Sequence, residues 1–127
     1  EDGRITIVDR SKDVILTGGE SVPSVEVETV YAEHTGITDC AAVGVDDARW
    51  GEAILLVAVK SDADADDGKL AEDLFRFGRD RLAGFKVPRQ VAFIEELPRS
   101  HLGKVLKRDL RDQTFGHVFD RPRAGGN

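Results

Sequence analysis

The chain has 127 residues, with 18 basic and 24 acidic side chains and a formal charge of −6. That length suits one domain whose core buries roughly two-thirds of the unfolded surface, and 40% apolar with 33% charged residues lies outside the disordered class. The acidic balance argues against a dedicated nucleic-acid binder, and the single cysteine, Cys40, excludes a disulfide scaffold and a cysteine-based zinc site.

The elements follow in chain order. Ile5–Val8 is β-branched and reads as a short strand, and Val14–Thr17 as a second. The charged turn Asp9-Arg10-Ser11-Lys12-Asp13 between them suggests an N-terminal hairpin. Pro23 suits the first turn of a helix, and Val27, Val30, Tyr31 and His34 then keep i, i+3, i+4, i+7 spacing as far as Gly36. Glu26 and Glu28 stand near the positive end of that helix, where they are expected to orient it or pair locally. Ile37–Val45 reads as a buried strand containing Cys40 as an inert buried thiol, and Asp46–Gly51 as a turn. Ala53–Val59 is apolar on both faces, which marks a central strand.

A solvated acidic loop, Asp62–Gly68, leads to an amphipathic helix over about residues 69–83, built on Leu70, Leu74, Phe77 and Leu82 and stopped by Gly84. Val91–Ile94 is a further strand. Arg99–Lys104 is a polar loop, and Val105–Arg111 resumes helical spacing. From Asp120 the chain is polar and rich in glycine and proline, so residues 120–127 read as a flexible tail on a domain covering 1–119. The fold class is α+β: a small sheet with an N-terminal hairpin, covered by about three helices. No apolar run approaches the ~20 residues of a transmembrane span, and the charged start Glu1-Asp2-Gly3-Arg4 is no signal peptide. A cytoplasmic setting is the expectation, and the missing initiator Met suggests a piece of a longer polypeptide.

Several segments invite chemistry when read alone. Asp62, Asp64 and Asp66 mimic the first ligands of a calcium loop, but Asp67 stands where glycine belongs and Asp73 where glutamate belongs, so no metal is assigned. Ser100 and His101 are neighbours on a loop without a nucleophile elbow, which argues against a hydrolase. Gly18-Gly19-Glu20 could let a ligand approach the backbone closely, or be a plain tight turn. Gly103-Lys104 could swing an ammonium group toward phosphate or carboxylate oxygens, or be an ordinary surface lysine.

Together the blocks are more specific. Asp9-Arg10-Ser11-Lys12-Asp13, Gly18-Gly19-Glu20-Ser21-Val22-Pro23, Ala41-Ala42-Val43-Gly44-Val45, Trp50-Gly51-Glu52, Gly84-Phe85-Lys86-Val87-Pro88, Leu97-Pro98-Arg99 and Gly103-Lys104-Val105 follow in order. As a set, over about residues 3–112, they resemble the carboxy-terminal domain of the adenylate-forming acyl-CoA synthetases, a superfamily that includes luciferases and peptide-synthetase adenylation domains.

The resemblance implies a lid that rotates between two half-reactions. ATP and a carboxylic acid give an acyl-adenylate and pyrophosphate; coenzyme A then displaces AMP. Lys104 is implied as the adenylation lysine, Lys12 as the hinge and Arg10 as a ribose contact of the nucleotide. Gly18, Gly19 and Glu20 are implied to border the pantetheine tunnel. Trp50, Phe85 and Arg89 are implied to hold the nucleotide end of coenzyme A, with core packing the alternative for the two aromatics. ATP and Mg²⁺ would be bound mainly by a separate amino-terminal adenylation domain, which would be this domain's partner. Val87 departs from relatives that carry arginine there, and the position of Pro23 leans toward ligases of alicyclic or medium-chain acids. Loading of a carrier protein instead of coenzyme A, and a binding module without chemistry, remain alternatives. This chain alone is expected to be inactive.

Overall fold

The computed structural model describes residues 14–112 and 115–121. The expected strand Ile5–Val8 and the candidate residues Arg10 and Lys12 lie outside them. Strand β1 (Val14–Thr17) pairs antiparallel with β2 (Glu20–Pro23), Ile15 opposite Val22 and Thr17 opposite Glu20. The hairpin described is therefore the one turned by Gly18 and Gly19, with β2 an unexpected strand. Both glycines have positive φ, +60° and +84°, which a tight two-residue hairpin turn demands.

Pro23 ends β2 and caps helix α1 (Ser24–Tyr31). The helix stops short of the expected Gly36. His34 lies in the following turn, where its Nδ1 accepts the Gly36 N–H at 2.9 Å. That bond fixes the proton on Nε2, which donates to Asp73 at 2.6 Å. Strands β3 (Ile37–Asp47) and β4 (Gly51–Lys60) form a long hairpin. The turn is shorter than expected, because Asp46 and Asp47 continue the ladder opposite Glu52 and Gly51. Asp47 Oδ1 then accepts the backbone N–H groups of Arg49 and Trp50, closing the turn from its own side chain.

Helix α2 (Asp67–Arg81) begins two residues before its expected start, with Asp66 accepting the Lys69 N–H as N-cap. The acidic loop before it is closed by a lysine: Lys60 Nζ donates to the Ala63 and Ala65 carbonyls and to Asp67. A short 3₁₀ turn (Gly84–Lys86) leads to β5 (Gln90–Phe93), which runs parallel to β4. Helix α3 (Lys107–Asp112) and strand β6 (Val118–Asp120) follow. Strand β6 was not foreseen. It pairs antiparallel with β5, and the next backbone N–H, of Arg121, donates to the Arg89 carbonyl at 2.7 Å. Asp120 therefore ends a strand rather than beginning a tail; residues 122–127 lie outside the described part.

The result is an open mixed sheet of six described strands with three helices, α+β as expected. Strand β4 is central, flanked by β3 and β5, and meets β1 at Gly51. Its apolar residues alternate between two cores. Ile54, Leu56 and Ala58 pack under α1 and α2 with Tyr31, Leu74 and Phe75. Leu55 and Val57 face the other way, against Leu97 and Leu110 of α3. Burial on both faces explains why this segment carries no polar alternation. No helix among the described residues is long and apolar enough to cross a membrane.

Candidate functional site

Lys104 sits on a tight loop that turns back on itself. Arg99 and Val105 form an isolated antiparallel bridge. Within it, Ser100 N–H donates to the Lys104 carbonyl at 2.9 Å and Gly103 N–H to the Ser100 carbonyl at 2.8 Å. Gly103 takes φ of +88°, a conformation that suits glycine, so the residue before Lys104 is chosen by backbone geometry. Lys104 is exposed, and no described residue bonds its ammonium group. Beside it Leu102 is 83% exposed, a large apolar side chain left at the loop tip.

A second group of expected residues meets at the opposite end of the sheet, where β4 and β5 begin. Gly18 N–H donates to the Trp50 carbonyl at 2.9 Å. A Cβ on Gly18 would lie 3.0 Å from the indole, a tight contact that adds to the preference for glycine set by its positive φ. The Arg89 guanidinium lies 4.2 Å from the indole centroid, and Arg49 approaches it at 5.5 Å. Trp50 belongs to neither buried cluster. Phe85, on the connection that leads to Arg89, is 43% exposed. Core packing thus accounts for neither aromatic. Gly19 has no atom close to its missing side chain, and Glu20 is exposed at the start of β2. Thus Gly18, Trp50 and Arg89 are brought together, and Lys104 is not among them.

The acidic residues of α1 are paired, but with distant parts of the chain rather than locally. Glu26 holds Lys86 at 2.8 Å. Glu28 accepts the Ala42 N–H at 2.9 Å and pairs with Lys107. Satisfying Ala42 matters, since among the described residues β3 pairs with β4 alone and its outer N–H groups need other acceptors. A cleft of about 330 Å³ between α1 and β3 is lined by Val25, Glu28, Thr29, Asp39 and Cys40. Cys40 is half-buried rather than fully buried. Burial, then the Glu28 and Asp39 carboxylates, push its thiol up to about 12, so it stays protonated and inert. Among the described residues no cluster of three or more His, Cys, Asp or Glu side chains could hold a metal ion.

Residues 26–104 match the family model of the AMP-binding enzyme C-terminal domain. The chain belongs to that family. It is 48% identical over 121 residues to a long-chain-fatty-acid–CoA ligase of Salmonella typhimurium, covering 95% of this chain and 21% of that protein. A feruloyl-CoA synthase of an Amycolatopsis species is 43% identical over 115 residues, covering 91% of this chain and 23% of its own. Among solved structures, the ATP-bound RpMatB–BxBclM chimera B1 superposes with a TM-score of 0.76 at 38% identity, over 80% of this chain and 20% of the chimera. The chain therefore spans about a fifth of the length of these relatives.

Sequence reasoning missed Asp39, whose carboxylate pairs with Arg99 across 60 positions of sequence. Nothing local marks that partnership. Arg49, beside Trp50, was also passed over; its place in the short turn before Trp50 was the available signal.

Proposed function

We propose that this domain is the carboxy-terminal lid of an ATP-dependent, AMP-forming acyl-CoA ligase. One observation carries the reading: Lys104, which the resemblance implies is the adenylation lysine, stands exposed on a glycine-shaped turn with no described residue bonding its ammonium group. In adenylation a carboxylate oxygen attacks the α-phosphorus of ATP and the bond to pyrophosphate breaks. Two anions must approach each other in that step. The Lys104 ammonium lowers the barrier by sitting where their charge concentrates. ATP with Mg²⁺ and the acid would be held mainly by an amino-terminal adenylation domain, which the lid caps.

In the second half-reaction the coenzyme A thiol attacks the acyl carbonyl and AMP departs. Trp50, Phe85 and Arg89 would hold the nucleotide end of coenzyme A, and Gly18 and Gly19 would leave room for its pantetheine arm beside Glu20. Arg10 would contact the ribose and Lys12 would serve as hinge. Coenzyme A is favoured over a carrier protein by the Trp50–Arg89 pair, a flat ring and a fixed cation suited to a base and a phosphate. Relatives named for a long-chain fatty acid and for ferulate are similar to this one domain at 48% and 43% identity, which supports a lid that leaves the choice of acid to the adenylation domain. A cytoplasmic, reducing compartment suits the free thiol of Cys40.

The test uses the chain joined to its adenylation domain. Lys104→Ala lowers acid-dependent pyrophosphate exchange by about 10²–10³-fold, while thioester formation from supplied acyl-adenylate keeps its rate. Unchanged exchange would reject the assignment.

A further inference from the structure

The loop that carries Lys104 is tied to strand β3 through Arg99. Arg99 Nη1 donates to the Gly103 carbonyl at 2.8 Å, one peptide from Lys104. The other prong of the same guanidinium, Nη2, binds Asp39 Oδ2 on β3. Asp39 is fixed in turn, because its Oδ1 accepts the Cys40 N–H at 3.0 Å. The β3–β4 register shifts between Ile37 and Asp39, an irregularity of the kind that redirects a side chain at a strand end. The brace thus runs without a gap from the β3 backbone through Asp39 and Arg99 to the peptide preceding Lys104.

We infer that the Arg99–Asp39 pair is a positioning clamp that aims the Lys104 turn relative to the sheet. An exposed ion pair contributes little to stability, so a fold-stabilising purpose is a poor account of it. Its geometry suits aiming instead. Arginine is the side chain whose planar fork can hold two acceptors at fixed angles. Lys104 is long and mobile, and its useful position depends on where its backbone is held; a displacement of 1 Å can lower a rate about 10²-fold. Neither Arg99 nor Asp39 touches the reacting atoms in this scheme; both act through Lys104.

This inference rests on the adenylation role of Lys104, and the test separates the two. In the chain joined to its adenylation domain, Arg99→Ala and Asp39→Asn are assayed beside Lys104→Ala. Each clamp variant lowers kcat of pyrophosphate exchange about 10- to 100-fold, with KM for ATP nearly unchanged. Thioester formation from supplied acyl-adenylate and the melting temperature stay as in the parent. The double variant loses no more than either single one, since both remove the same brace. Arg99→Lys keeps the charge but not the fork, and recovers only part of the rate. Normal exchange in both clamp variants, equal loss in both half-reactions, additive losses, or full recovery by Arg99→Lys would each overturn the clamp while the collapse of Lys104→Ala left the function intact. Normal exchange in Lys104→Ala would instead remove the functional reading and the clamp's purpose with it.

Discussion

At Cys40, loss of water acts first, and two neighbouring carboxylates push the same way. The Lys107 ammonium opposes them but does not reverse the direction. A thiol raised to about 12 is almost wholly protonated at pH 8, whereas an unfolded thiol with a pKa near ~8.5 is partly thiolate there. Labelling of Cys40 by a disulfide reagent at pH 8 is therefore expected to be at least about 100-fold slower in the native protein than in denaturant. Equal rates would show that the cleft between α1 and β3 admits water freely. The same shift sets an alkaline limit on stability. The folded pKa lies above the unfolded one, so the contribution is complete below about pH 8.5 and is lost as pH rises toward 12. Burial raises Tyr31 above its ordinary value too, with the same sign and a window starting near pH 10. Denaturant midpoints should fall between pH 8 and pH 10.5, and Cys40→Ala should flatten the slope.

The contact of α1 with α2 depends on one missing methyl group. Tyr31 is fully buried and its hydroxyl donates to the Leu74 carbonyl at 2.7 Å. A Cβ on Gly78 would fall 2.1 Å from that hydroxyl oxygen, far inside contact distance. Alanine usually improves a helix interior by about 1 kcal/mol over glycine. Here the steric term wins: overpacking a closed core costs about 1–3 kcal/mol, and the Tyr31 hydrogen bond is displaced as well. Gly78→Ala should therefore lower the stability of the domain by about 1–3 kcal/mol. Adding Tyr31→Phe removes the clashing oxygen, so the double variant should be more stable than Gly78→Ala alone in denaturant titrations. At this scale the sequence is uneven as a guide. Strand β4 was plain, because Ala53–Val59 is apolar on both faces and only a central strand buries both. The described hairpin was readable from Gly18-Gly19, yet the charged turn at 9–13 offered a competing partner for Val14–Thr17. Strand β6 had no such signal: three residues beside a glycine- and proline-rich segment become a strand only because β5 presents an open edge. The Lys104 turn was visible in Gly103-Lys104, while the Asp39 carboxylate that braces it comes from a distant strand and is set by tertiary structure alone.

Across the whole molecule, the two expected centres of chemistry occupy opposite ends of one strand. Asp39, which anchors the Lys104 turn, and Asp47, which closes the turn carrying Trp50, are eight steps apart on β3, about 27 Å at ~3.4 Å per residue. A span of that size keeps the Lys104 turn and the Trp50 cluster from acting on the same group of atoms. The two ends also differ in kind: one offers a lone mobile ammonium, the other an indole approached by two guanidiniums despite a net charge of −6. Under the proposed function each end would serve its own half-reaction, the Lys104 turn adenylation and the Trp50 cluster the binding of coenzyme A. The expected kinetic signature is reciprocal. Arg89→Ala removes the cation over Trp50, and losing one charged contact is worth about tenfold or more in binding. In the chain joined to its adenylation domain, KM for coenzyme A should rise by at least about tenfold while acid-dependent pyrophosphate exchange holds its rate, the mirror image of Lys104→Ala. Equal losses in both half-reactions for Arg89→Ala would mean that the Trp50 end serves the architecture of the lid as a whole, and that the separation along β3 does not divide the chemistry.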